Sequence, residues 1–204
     1  MLKIDLLRHG QSTLSHTLRG STDDDLTELG WSQMQHSIDQ SLHAQDNEAV
    51  PWDVIFSSPL KRCRLFADRI AQQIEKPVFY HANLQEMHFG DWEALSTQYI
   101  YENEPELLAN FWQQPTLFSP PNAETMQNFH LRVINGLTDI QQQMQANHWQ
   151  HALLVTHGGV IKLLKCIALK HALDDLLKMS AELGQLNAFI LHEDGALAFV
   201  EYSA

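Results

Sequence analysis

Apolar positions along this chain alternate between strand-like runs and helical spacing. "LKIDLLR" (2–8) is a short apolar stretch of strand length, and "LTELGWSQMQHSIDQSL" (26–42) follows at helical period. In that helix Leu26, Leu29, Met34, Ile38 and Leu42 are available for one face, Thr27 is placed to cap it, and Gly30 is a small cost inside its first turns. "WDVIFSS" (52–58) predicts a strand running directly into the helix of "PLKRCRLFADRIAQQI", with Ser58 as cap and Pro59 as first helical residue. "PVFYH" (77–81) predicts a third strand. Residues 82–95 have no clean period and read as a loop. Between 96 and 122 helical patches are broken by Pro105, Pro115, Pro120 and Pro121, which predicts a helical excursion. A long helix over 124–148 precedes the strand "HALLVT" (151–156) and the helix opened by "HGGVIKLLKCIAL". "QLNAFILH" and "ALAFVEY" then read as a hairpin around "EDG".

Strands alternating with helices predict an α/β fold. The expected architecture is a three-layer sandwich with a mostly parallel sheet, an antiparallel edge strand and the helical excursion over the active site. The 204 residues fit a single domain, with the excursion at about 96–122 as part of it.

Composition adds exclusions. At 44% hydrophobic and 19% charged residues the chain can bury an ordinary core, and no apolar run is long enough to span a bilayer. "MLKIDLLRHG" does not read as a signal peptide, so a cytoplasmic location is expected. Cys63 and Cys166 lack CxxC spacing and read as reduced core thiols, so no metal site is expected. The formal net charge of −12 argues against nucleic acid or an anionic membrane as partner. The acids are scattered, so an anion-binding site has to be a local basic island, and a small ligand is expected.

Three strand ends supply such an island. In doubly wound sheets ligands sit outside the carboxyl ends of the strands. Here those ends carry Arg8-His9-Gly10, then Ser57-Ser58-Pro59 with Arg62 a turn later, and Thr156-His157-Gly158-Gly159 leading into a helix. If these strands are neighbours, two arginines, two histidines and two helix N-termini converge, which suits phosphate. A neutral His9 can attack phosphorus and carry the phosphoryl group, and Arg8 and Arg62 disfavour a second positive charge on it. They also stabilise charge on the transferring oxygens, and His157 can hold the same oxygens. The departing alkoxide needs a proton. "LQEMHFGDWE" offers Glu86, Asp91 and Glu93; Glu86 comes soonest after the strand at 77–81, and would then act as base on water.

These motifs resemble the histidine phosphatase superfamily, the phosphoglycerate mutase-like fold. "LLRHGQS", "SSPLKR", "LQEMHFGDWE" and "VTHGGVI" follow the family's order and cover essentially the whole chain. The resemblance implies a cofactor-independent phosphomonoesterase in which His9 is phosphorylated, Glu86 donates the proton, and Arg8, Arg62 and His157 line the phosphate. It also implies substrate contacts from Gln11, Ser15 and Gly158. Many members have an acid where Gln11 stands and asparagine at Ser15, which is shorter and reaches the phosphate less easily. Many also have Gly-Gly-Glu where "NAE" (122–124) stands. A narrower resemblance, carried by "LRGSTDDDLTELGWSQM", "FWQQP" and "VTHGGVIKLL", is to bacterial α-ribazole phosphatases, which act in assembly of the cobalamin nucleotide loop.

Other readings stand beside this one. The same fold hosts sugar-bisphosphate phosphatases and phosphoglycerate mutases, and a non-catalytic phospholigand-binding module is a reading of another class. A metal-dependent hydrolase is disfavoured, because Arg8 and Arg62 repel a cation. Arg19 has two readings, a contact to the far side of the substrate or a surface salt bridge. Arg64 and Arg69 read as solvated, and His88 as either pocket mouth or packing. Phe89, Trp92, Phe111 and Trp112 read mostly as core, with one or two free to stack on a nucleoside-like base. A homodimer through an edge strand is compatible with the sequence, and nothing in it demands one.

Overall fold

The computed structural model describes residues 1–43 and 50–200. Its strands are β1 (Leu2–Arg8), β2 (Val54–Ser57), β3 (Val78–Tyr80), β4 (His151–Thr156), β5 (Leu186–Leu191) and β6 (Leu197–Val200). Its helices are α1 (Glu28–His43), α2 (Lys61–Ile74), α3 (Thr97–Asn103), α4 (Pro105–Gln113), α5 (Met126–Ala146) and α6 (Gly158–Ala168). The strands form one sheet in the order β3-β2-β4-β1-β5-β6. β1, β2, β3 and β4 are parallel, whereas β5 runs antiparallel to β1 and β6 antiparallel to β5. The fold is therefore the expected α/β sandwich, with the terminal hairpin as its antiparallel margin.

Side-chain alternation across the pleat separates two cores. Leu2, Ile4 and Leu6 of β1, with Val54, Phe56, Ala152 and Leu154, pack beneath α3 to α6. Leu7, Ile55, Leu153 and Val155 face the other way, against Met34 and Ile38 of α1 and Phe66, Ala67 and Ile70 of α2. Asp5 points into the second layer, where it is satisfied by Trp52 Nε1–H and by His151 Nε2, each 2.8 Å away. A buried carboxylate without such partners would be costly.

Several local expectations change on folding. Leu29 is 54% exposed, because the inward stripe of α1 runs through Gly30, Met34 and Ile38. Gly30 is more than a helical cost: a Cβ there would sit 2.0 Å from the Gln11 carbonyl oxygen, and one on Gly10 would sit 2.2 Å from that of Gly30. The two glycines let the loop after β1 lie directly on α1. Thr27 does cap α1, accepting from Gly30 N–H. Ser58 and Pro59, by contrast, lie outside α2, which begins at Lys61 after Leu60 in extended conformation. The Ser58 hydroxyl is drawn instead to His157. The loop at 82–95 contains two 3-10 turns, at Ala82–Leu84 and Gly90–Trp92. The excursion holds α3 and α4, capped by Ser96 and opened by Pro105 respectively. The hairpin is described to Val200; Glu201 and Tyr202 of the expected last strand lie outside the described residues. No described helix is long and apolar enough to cross a membrane.

Candidate active site

Register places the three chemical strand ends side by side. β1 and β4 pair in parallel with Arg8 opposite Thr156, and β2 joins β4 with Ser57 opposite Val155. Backbone hydrogen bonds continue past the strands, from His9 N–H to Thr156 O and from Ser58 N–H to Val155 O. The sheet thus delivers Arg8, His9, Ser58, His157 and the N-terminus of α6 to one edge. Above them opens a pocket of about 540 Å³, a size suited to a small molecule.

His9 is only 2% exposed and lines this pocket. Its Nδ1 lies 2.8 Å from the Gly10 carbonyl oxygen. A carbonyl can only accept, so Nδ1 carries the proton and Nε2 keeps its lone pair. Burial, with Arg62, Arg8 and Arg19 acting against the Gly10 carbonyl, holds His9 well below the ordinary imidazole range. At neutral pH the ring is therefore neutral, with Nε2 unprotonated and chemically able to act as a nucleophile. His157 meets it edge-on, with centroids 5.3 Å apart. His157 is fully buried, with Nε2 2.8 Å from Ser58 Oγ, and burial, Arg62 and His9 push it likewise downward. Cys63 Sγ packs 3.6 Å from that nitrogen, but burial raises its thiol to about 12, so it stays protonated.

Of the three acids in the loop, only Glu86 lines the pocket. Its Oε2 accepts from Gly159 N–H at 2.9 Å and its Oε1 from Met87 N–H at 3.0 Å. A Cβ on Gly159 would lie 2.1 Å from Oε1, so a glycine there is what allows the carboxylate to reach α6. Asp91 is exposed and bonded by Asn122. Glu93 is tied into the fold: it accepts from the N–H groups of Gly20, Ser21, Thr22 and Phe89 and from the Thr22 hydroxyl. Burial works against its charge, yet these hydrogen bonds outweigh it and hold Glu93 below the usual carboxylate range.

The arginines divide their work. Arg8 lines the pocket beside Gly158 and donates from Nη1 to Ala181 O at 2.5 Å, leaving Nε buried and unpartnered. Arg62 is fully buried and bonds Thr22 O, Asp24, Arg19 O and Gly20 O, so only its Nε has no partner. It therefore fixes the 19–24 segment as well as adding positive potential. Arg19 lines the pocket, donates to Leu14 O and Thr17 O, and lies 3.6 Å from Asp24. The salt bridge is therefore present but buried rather than on the surface, and Arg19 also borders the pocket. Gln11 and Ser15 do not line the pocket. Gln11 Oε1 accepts from the hydroxyl of Thr27, the α1 cap, and Ser15 Oγ accepts from Ser12 N–H within its own turn. His88 is exposed and accepts from Gly90 N–H.

Three basic residues escaped the sequence reading, among them Lys178, which lines the outer pocket. Lys162 lines the pocket, one helical turn after Gly158, and burial and Arg8 lower its ammonium against Glu86 and Glu182. That i,i+4 spacing was a readable signal. Arg132 donates to the Glu86 carbonyl from 46 positions away, and no local pattern announces such a contact. The outer walls are apolar: Phe89, Phe111, Trp112, Met126, Phe129, Leu176 and Leu177.

Comparison with known proteins agrees with this geometry. The model for the histidine phosphatase superfamily, branch 1, matches residues 4–202. The chain is 29% identical to the adenosylcobalamin/alpha-ribazole phosphatase of Escherichia coli, over 80% of this chain and 77% of that one. It is 28% identical to phosphoserine phosphatase 1 of Hydrogenobacter thermophilus, over 83% and 77%. The crystal structure of the alpha-ribazole phosphatase from Shigella flexneri superposes with a TM-score of 0.79 at 23% identity, covering 98% of this chain and 95% of that one. With an Arg-His-Gly strand end, a neutral buried histidine and a family match over nearly its full length, the chain belongs to the histidine phosphatase superfamily, branch 1, and is a hydrolase acting as a phosphatase.

Proposed function

We propose that the chain hydrolyses a phosphomonoester in two steps through a phosphohistidine on His9. The observation that carries this is the locked His9 tautomer, with Nδ1–H on the Gly10 carbonyl and Nε2 unprotonated at the pocket floor. In the first step Nε2 bonds to phosphorus as the ester P–O bond breaks, and Glu86 gives its proton to the departing alkoxide. In the second, Glu86 takes a proton from water, whose oxygen attacks phosphorus and releases His9. Arg8, Arg62 and the α6 N-terminus at Gly158 supply positive potential for the transferring oxygens. His157 packs its ring edge-on against that of His9 but is fully buried, with Nε2 at Ser58 Oγ, and lines no wall of the pocket, so it supports the His9 ring instead of holding the oxygens directly.

For the alcohol, we propose α-ribazole, released from its 5′-phosphate in cobalamin nucleotide-loop assembly in the cytoplasm. Support comes from the aromatic and aliphatic outer walls and from the E. coli and Shigella relatives. A bicyclic apolar base on ribose matches those walls better than a small ion does. A second reading, an acidic ester such as phosphoserine, draws on Lys162 and Lys178 in the pocket wall and on the Hydrogenobacter relative.

The test is phosphate release in strong chelator from α-ribazole 5′-phosphate, phosphoserine, 3-phosphoglycerate and fructose 2,6-bisphosphate, with acid-labile phosphoenzyme trapped in parallel. A kcat/KM of roughly 10⁴ M⁻¹s⁻¹ or above on α-ribazole 5′-phosphate, well above the others, is expected. His9→Ala should yield no phosphoenzyme and no turnover. Equal rates for His9→Ala and wild type on every ester would overturn the mechanism; comparable weak rates on all four would overturn the substrate.

A further inference from the structure

The backbone of the acid loop is held by side chains at four consecutive carbonyls. Arg132, on α5, donates from Nη1 to Asn83 O at 3.0 Å and Gln85 O at 2.8 Å, and from Nη2 to Glu86 O at 2.8 Å. The carbonyl skipped, Leu84 O, is taken by the hydroxyl of Thr156, the last residue of β4. The remaining Arg132 donors grip Glu124 in a two-point fork, Nε to Oε1 at 2.6 Å and Nη2 to Oε2 at 2.8 Å. A guanidinium has five N–H groups, and all five are used. Glu124 closes the other side of the loop, accepting from His88 N–H and donating its own N–H to His88 O. The approach is tight: a Cβ on Gly136 of α5 would lie 2.7 Å from the Asn83 side chain.

We infer that Arg132, oriented by Glu124, is the positioning residue for Glu86, pinning the acid's backbone so that its carboxylate meets Gly159 N–H and the leaving oxygen. Arg132 lines no wall of the His9 pocket, so it touches the site through the Glu86 loop, its other influence being a positive charge felt by His157. A lysine in its place keeps the charge and loses the planar fork that spans three carbonyls and a carboxylate. An error of about 1 Å in placing a reacting group costs on the order of 10²-fold in rate.

The inference rests on Glu86 as proton donor, and leaving-group dependence tests the two separately. An alkyl ester needs the proton, whereas 4-nitrophenyl phosphate releases a phenolate that leaves without one. kcat/KM is measured on 4-nitrophenyl phosphate and on the best alkyl ester of the panel above, for Arg132→Lys, Glu124→Gln, Glu86→Gln and Glu86→Gln/Arg132→Lys. Arg132→Lys should lose about 10²-fold on the alkyl ester and markedly less on the aryl ester. The double variant should be no worse than Glu86→Gln. Equal losses on both esters, or multiplied losses in the double variant, would overturn the positioning role. Should Arg132→Lys fail to fold, Glu124→Gln decides by the same ratio: a selective loss supports the role, and an equal one overturns it. A Glu86→Gln enzyme without leaving-group selectivity would remove the proton-donor assignment itself, and the inference with it.

Discussion

Gly159→Ala tests the site with a single methyl group. The added carbon would stand 2.1 Å from Glu86 Oε1 and 3.0 Å from the carboxyl carbon, so the carboxylate must retreat by about 1.3 Å to regain an ordinary contact. That retreat is cheap for the fold, because the obstructing atoms are the end of a flexible side chain. It also stretches the 2.9 Å bond from the residue 159 N–H. Helical glycine replaced by alanine gains roughly 0.5–1 kcal/mol, which offsets about 1 kcal/mol for a weakened hydrogen bond. The melting temperature should therefore stay within about 4 °C of wild type. Catalysis has no such compensation, and kcat/KM on an alkyl ester should fall about 10²-fold. Steady-state phosphate release and a thermal melt on the same preparation read both quantities. A Gly159→Ala enzyme with wild-type kcat/KM would refute the claim that Glu86 acts from this position. A large loss of stability would refute the claim that only a side-chain end stands in the way.

Stability should also depend on pH in a stated window. His9 and His157 are held well below their unfolded value of about 6.5, so below that pH the unfolded chain binds protons that the folded one refuses. Their contribution is fully present above pH 6.5 and is lost as pH falls toward their folded values, at up to roughly 2.7 kcal/mol per pH unit for two groups. Denaturant titrations from pH 7 to 5 measure this; flat stability across the window would contradict the buried neutral imidazoles. Glu93→Gln breaks a carboxylate that gathers the Gly20–Thr22 turn and Phe89, and should cost about 2–3 kcal/mol, visible as a melting temperature lower by roughly 5–10 °C. Trp112→Ala removes a half-exposed pocket wall; KM for α-ribazole 5′-phosphate should rise about 3- to 10-fold, the worth of one aromatic contact, while KM for phosphoserine stays put. A rise shared by both substrates would remove the base-stacking argument.

The sequence was most legible where chemistry sits at the end of a periodic run. Arg8, His9 and His157 follow strands whose parallel pairing is the common outcome of strand–helix alternation, so their convergence could be anticipated. Glu86 was separated from Asp91 and Glu93 only by its distance from β3; the structure adds that Glu93 is consumed by five donors and Asp91 by Asn122. Ser58 was misread because a serine before proline and a helical run satisfies every local rule for a cap, whereas His157, 99 residues later, competes for the hydroxyl and wins. Gln11 and Ser15 are implied as substrate contacts by resemblance alone, and the structure places them outside the pocket wall, with Gln11 Oε1 on Thr27 and Ser15 Oγ on Ser12 N–H. Arg132 was invisible because its partners, carbonyl oxygens on a loop without period, leave no mark on residue type.

The placement of β1 in the middle of the sheet sets an order of events during synthesis. β1 precedes the other described strands in the chain, but both its neighbours, β4 and β5, lie beyond residue 150. Until residue 156 has left the ribosome, "LKIDLLR" has neither edge paired, and His9 has no Thr156 carbonyl to bind. A contact of such long sequence separation closes late and slowly. The pocket thus forms only once β4 has emerged: a nascent chain stalled before β4 holds the strand that carries His9 as an unpaired apolar segment, exposed to aggregation or to chaperones. The same wiring means that a nick in the chain between β1 and β4, outside the Glu86 loop, need not part Arg8 and His9 from His157, since it is the sheet, pairing Arg8 with Thr156, that holds these strand ends together.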